Sequence, residues 1–197
     1  MAGGNKGTMN RRIIVGMSGA SGAPLAILLM KELKRCTPDI QIHLIMTEGA
    51  QKTLQYETDY SPEDVAALAD VVYNNNNLAA AVASGSFRTD GMIIIPCSMK
   101  TLAGIVTGYS DNLLLRSADV TLKERRKLVL VPRESPLSTI HLRNMYELSQ
   151  MGAVILPPVL SFYNHPATEE EYAGHIVGKV LDQFGIDSDR FRRWNGR

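Results

Sequence analysis

Cysteine is scarce, with 2 in 197 residues. Cys36 and Cys97 stand far apart and form no C-x-x-C pair. That excludes a disulfide-stapled scaffold and a cysteine-rich zinc site, and it fits a reducing compartment. An excess of charge is missing too. Lys plus Arg number 21 against 20 Asp plus Glu, for a net charge of +1. No basic balance therefore argues for nucleic acid or an anionic membrane as the main partner. No apolar run approaches the ~20 residues of a membrane span. Residues 1–10, MAGGNKGTMN, lack the apolar core of a secretory signal and read as a flexible lead. The expectation is a cytoplasmic globular protein. A hydrophobic fraction of 45% is enough for one domain with a sizeable core, placed at residues 11–186, with a tail at 187–197.

What is present is organised around residues 12–24, RIIVGMSGASGAP. The apolar run Ile13, Ile14, Val15 suits a buried parallel strand. Gly16, Gly19 and Gly22 follow, interleaved with Ser18 and Ser21. Pro24 fits a first helical position, and Leu25, Leu28, Leu29 and Leu33 share one helical face. The stretch reads as strand, glycine-rich turn, helix. Glycines let backbone approach a ligand, and a helix start offers N–H groups to an anion, so a phosphate-bearing ligand is expected here. The spacing matches neither G-x-G-x-x-G nor the P-loop, and a turn that only packs strand on helix remains the plain alternative.

The same logic recurs downstream. Residues 40–46 read as a strand ending at Thr47 and Glu48. A hydroxyl there can meet a ligand in the crevice, an acid there keeps a nicotinamide dinucleotide open, and either residue can simply start a helix. Residues 51–58 are expected to be helical, Ser61 caps a further helix, and residues 74–77 read as a polar loop. Residues 92–95 form another strand, running into Ser98, Met99, Lys100 and Thr101, whose hydroxyls and N–H groups face the same crevice. Cys97 with His141 as base is a minor nucleophile reading. On a helix over residues 112–126, Arg116, Asp119 and Lys123 fall on one side, with Asp119 and Lys123 in the favourable i,i+4 order. Residues 128–131 form a strand leading to Arg133 and Glu134, where Arg suits a phosphate. Ser135-Pro136 is expected to cap the next helix. Residues 154–156 form a short strand, and residues 162–166 an aromatic loop. Thr168 and Glu171 match a capping box before a last helix with Lys179 at the edge of its buried face. Gly185 stops that helix, and the arginine-rich tail through Trp194 is expected to dock on a partner. Strands alternating with helices predict an α/β, doubly wound (Rossmann/flavodoxin-like) parallel sheet with helices on both faces.

GMSGASGA, YETDYS, ASGSF, PCSMKTLAGI, ADVTLKERRKLVLVPRE, STIHLRNM, GAVILPP and FYNHP together resemble the UbiX-type flavin prenyltransferases, in the branch associated with aromatic acid decarboxylases. The resemblance runs from about residue 13 to residue 185, nearly without gaps. It implies that FMN is bound and that a dimethylallyl group from dimethylallyl phosphate is joined to reduced FMN. The prenylated FMN then passes to a partner aromatic acid decarboxylase. It also implies a homododecamer built of trimers with the site between subunits. Carried over residue by residue, FMN contacts fall on Gly19, Ala20, Ser21, Thr47, Ser98, Met99, Lys100, Thr101 and Arg133. Glu57 corresponds to an acid near the prenyl phosphate, and Arg116, Lys123, Glu134, Tyr163 and Lys179 to the other polar groups around it. Lys179 replaces a common Arg, keeping the charge but not the planar fork. No metal constellation accompanies them. A direct aromatic acid decarboxylase, a passive FMN carrier and a nicotinamide dehydrogenase are the rival readings.

Overall fold

The computed structural model describes residues 11–163, 165–190, 193 and 196. Six parallel strands form one sheet in the order β3-β2-β1-β4-β5-β6. They are β1 (Arg12–Met17), β2 (Gln41–Met46), β3 (Val71–Asn74), β4 (Gly91–Cys97), β5 (Lys127–Pro132) and β6 (Val154–Ile155). All seven residues of β4 are buried, as befits a central strand covered on both faces. Ile13, Val15 and Met17 share a core with α1 (Ala23–Cys36) and α7 (Glu169–Asp182), to which α2 (Glu48–Glu57) adds Ala50 and Leu54. On the opposite face Ile14, Met92, Ile94 and Leu128 pack with α4 (Met99–Val106), α5 (Leu113–Lys123) and α6 (Thr139–Gln150). The doubly wound expectation holds. The order in which strands are added reverses between β1 and β4, the switch point outside whose carboxyl ends such sheets bind ligands.

Local chemistry sets the helix starts. Thr47 caps α2 and Ser98 caps α4, accepting from Ala50 and Thr101 N–H. Ser61 and Asp64 form a full capping box for α3 (Pro62–Ala66). Asn112 caps α5, and Asn75 reinforces that start from the β3 loop, its carbonyl and side-chain oxygens accepting from Leu113 and Leu114 N–H at 2.7 and 3.0 Å.

Several expectations are corrected. β3 precedes the polar loop, where none was foreseen. It is a four-residue edge strand with Val71 and Val72 exposed, so it carries no buried-strand signature. The cap of α6 is Ser138, three residues beyond Ser135. Thr168 accepts from Glu171 N–H, but the Glu171 carboxylate turns to Ala167 N–H at 2.6 Å, so only half a capping box forms. Asp119 pairs with Arg116 at 2.5 Å, and Lys123 with Glu124 instead of Asp119.

The start of the tail docks on its own chain. Glu32 of α1, 1% exposed, accepts from Arg35, from Arg190 Nε at 2.9 Å and from the Ser188 hydroxyl at 3.2 Å. Arg192 and Trp194 lie outside the described residues. Among the described residues, no helix is long and apolar enough to cross a membrane.

Candidate functional site

The two turns at the switch point are joined by Ser18, which is 1% exposed. Its hydroxyl donates to the Pro96 carbonyl at 2.9 Å and accepts the Ser98 N–H at 2.7 Å. The turn after β1 and the start of α4 are thereby held as one unit. Gly19 presses on Gly49 of α2: a Cβ at Gly19 would lie 3.0 Å from the Gly49 Cα, and one at Gly49 3.2 Å from the Gly19 Cα. Only paired glycines allow this approach. Ser18 and Gly49 were not singled out from sequence. The one available signal for Gly49 was a glycine in the second position of a helix, where it is otherwise unfavourable.

This unit floors a cleft of about 1200 Å³. Of the predicted FMN residues, Gly19, Thr47, Ser98, Lys100 and Thr101 line it, together with Met46, Gly49, Tyr73 and Leu115. Thr47 and Ser98 cap helices and face the cleft at once, so the two readings of such hydroxyls coexist. Ser98 also donates to the Thr101 hydroxyl at 3.1 Å. Glu48, the acid that kept a nicotinamide open, is ion-paired with Lys52 at 2.6 Å. The donor set suits FMN: two helix starts, three hydroxyls and Lys100 for a phosphate, apolar Met46 and Leu115 beside them, and a glycine cradle that any Cβ would crowd.

Ala20, Ser21 and Met99 are not in the cleft wall. Ser21 belongs to a second group with Glu57 and Arg133. The Glu57 carboxylate accepts from Gly22 N–H at 2.8 Å and Ala23 N–H at 2.9 Å. Gly22 has φ +122° and no capping side chain of its own, so Glu57 supplies the missing cap from 35 residues away. The Gly22 and Ala23 N–H groups at the α1 start thus meet the chain's own carboxylate, while Gly19 of the same turn lines the cleft. Burial pushes the Glu57 carboxyl up, but hydrogen bonds from Ser21, Gly22 and Ala23 and the charge of Arg133 outweigh it and hold the group below its ordinary 4.5.

The remaining predicted residues are distributed. Arg116 donates to Asp119 and to the Ala83 carbonyl, while Lys123 pairs with Glu124. The Glu134 carboxylate accepts from Ser135 N–H at 3.0 Å. Tyr163 meets the His175 ring edge-on at 5.8 Å, and Lys179 pairs with Asp182 at 3.6 Å. The Cys97–His141 nucleophile reading fails. Burial pushes the Cys97 thiol up to about 12, and His141 Nδ1 accepts from Ser138 N–H as a helix cap.

Against known proteins, the Flavoprotein family profile matches residues 4–183. A relative from Sedimentibacter hydroxybenzoicus, described as a probable UbiX-like flavin prenyltransferase, is 57% identical over 185 residues, 94% of this chain and 97% of its own. Two crystal structures superpose closely. One is a dodecameric FMN-dependent UbiX-like decarboxylase from Escherichia coli O157:H7, with TM-score 0.92 and 57% identity over 94% of this chain and 100% of that one. The other is AnUbiX (PadA1) in complex with FMN and dimethylallyl pyrophosphate, with TM-score 0.93 and 54% identity over 95% of this chain and 99% of that one.

Proposed function

Since the chain belongs to the Flavoprotein family, among its UbiX-like flavin prenyltransferases, we propose that it transfers a dimethylallyl group from dimethylallyl phosphate to reduced FMN. The observation that carries the reading is the glycine-floored, hydroxyl-lined cleft at the β1–β4 switch point, in a chain this similar to a protein solved with FMN and a dimethylallyl donor.

Gly19, Ala20, Ser21, Thr47, Ser98, Met99, Lys100, Thr101 and Arg133 hold FMN in this proposal. When bound, reduced FMN supplies an electron-rich ring nitrogen and a neighbouring aromatic carbon to receive the allyl group. Arg116, Lys123, Lys179 and Tyr163 serve the donor. Breaking the carbon–oxygen bond leaves charge on the departing phosphate, and preorganised cations and donors stabilise it. Arg116 and Lys123 are held in chain by Asp119 and Glu124, so gripping a phosphate exchanges those partners. Glu57 is a carboxylate at neutral pH; either it or the released phosphate accepts the proton released on ring closure, and Glu134 is the second acid beside the phosphate.

The donor residues stand apart from the cleft lining in one chain, which supports a site completed between copies of the chain. A homododecamer built of trimers supplies such sites. The prenylated FMN passes to a partner aromatic acid decarboxylase, and the setting is cytoplasmic. Anaerobic incubation with reduced FMN and dimethylallyl phosphate should release inorganic phosphate only when both are present. Carbon dioxide released from a phenolic acid by this chain alone, with no phosphate release, would instead mark a decarboxylase.

A further inference from the structure

His43 sits on β2 beneath the edge of the sheet, 4% exposed. Its Nδ1 shares a hydrogen bond of 2.9 Å with the Tyr73 hydroxyl, and the two rings stack at 5.8 Å. Tyr73 stands on β3 and lines the cleft. Beside the imidazole, Phe87 packs edge-on at 5.3 Å, and the Arg12 guanidinium lies over the Phe87 ring at 5.0 Å from its centre. The imidazole Nε2 is buried and has no partner. A column of side chains therefore runs from the start of β1 to the cleft wall, and its one titratable link at physiological pH is His43.

We propose that His43 is a positioning residue for the cleft: it fixes the Tyr73 ring as a wall, and FMN affinity depends on the His43–Tyr73 hydrogen bond. The inference rests on the flavin reading above. The pocket suits a neutral imidazole only. A proton on both nitrogens would leave a charged N–H buried without an acceptor. The charged groups facing it do not help. Arg12 repels the proton, and the Asp70 carboxylate, which attracts it, is already held by Lys34 at 2.6 Å and Ile42 N–H at 2.7 Å. Burial first, then Arg12, accordingly hold the imidazole below its ordinary 6.5 against the pull of Asp70. Burial keeps Tyr73 a neutral phenol. When His43 takes a proton its Nδ1 can no longer accept from the Tyr73 hydroxyl, and the charged Nε2–H has no acceptor in the pocket, so the hold on Tyr73 weakens.

The test is FMN affinity by flavin fluorescence from about pH 8 to about pH 5, with the thermal midpoint followed at each pH. The unaltered chain should bind about three- to tenfold more weakly at the acid end, the value of one hydrogen bond. His43→Gln supplies an uncharged partner and should keep the affinity at neutral pH while flattening the profile. Tyr73→Phe removes only a hydroxyl and should weaken binding about three- to tenfold at neutral pH with the acid-side loss gone. An unaltered profile in His43→Gln, or Tyr73→Phe that binds like the parent, overturns the role of His43. A parent chain that binds FMN with no pH dependence overturns it too. A parent chain that binds no FMN at any pH overturns the flavin reading itself.

Discussion

The Ser18 hydroxyl donates to the Pro96 carbonyl across 78 positions of sequence, at 2.9 Å. It is the link that turns two separate strand ends into one cleft floor. Ser18→Ala should lower stability by about 0.5–1.5 kcal/mol, because the part-buried Ser98 N–H loses its acceptor. Denaturant unfolding measures the loss, and flavin titration should show weaker FMN binding in the folded fraction.

Gly19→Ala tests the cradle. The backbone of Gly19 is not in the left-handed region, so the substitution strains only the space, where the new Cβ meets the Gly49 Cα at 3.0 Å. Overpacking against backbone should cost about 1–3 kcal/mol, and FMN affinity should fall with it. A variant as stable and as tight as the parent would show that the two turns can part without consequence.

Glu57 links stability to pH. Its carboxyl is held below 4.5 in the folded chain, so its contribution is fully present above that ordinary value and is lost as pH falls through the lowered one. Glu57→Gln should cost about 0.5–1 kcal/mol at neutral pH, the worth of a charged cap on a helix start. Thermal melts of parent and variant should converge on the acid side of pH 4.5.

The tail anchor gives an independent handle. Glu32 receives Arg35, Arg190 and Ser188. Glu32→Gln should destabilise by about 1–2 kcal/mol, since both arginines are open enough to solvent for screening to absorb part of the loss. Limited proteolysis should then cut near residues 187–190 faster than in the parent, with the flavin cleft still closed to the protease.

β1, β2, β4 and β5 are legible as apolar runs because they are buried within the sheet, while β6, a partly buried two-residue edge strand, shows only as the short apolar run 154–156. β3 is not legible, since Val71 and Val72 face outward at the sheet edge and strand periodicity is a burial signal. The cleft residues Gly19, Thr47, Ser98 and Thr101 are readable from where strands end, a property of the chain's local order. Ser18, Gly49 and Tyr73 are not, because their partners Pro96, Gly19 and His43 lie 30 to 78 residues away and such distances leave no local spacing. Glu57 emerges from the resemblance alone. Its bonds to Gly22 and Ala23 require α2 to fold back on the first turn, which no motif announces.

The most direct test of the central claim is the mass of the flavin. The purified chain is incubated anaerobically with reduced FMN and dimethylallyl phosphate, and the flavin is extracted and weighed. The account predicts a flavin heavier by one isoprene unit, formed only with donor and chain together. Recovery of unchanged FMN, bound by a folded chain under those conditions, would contradict it.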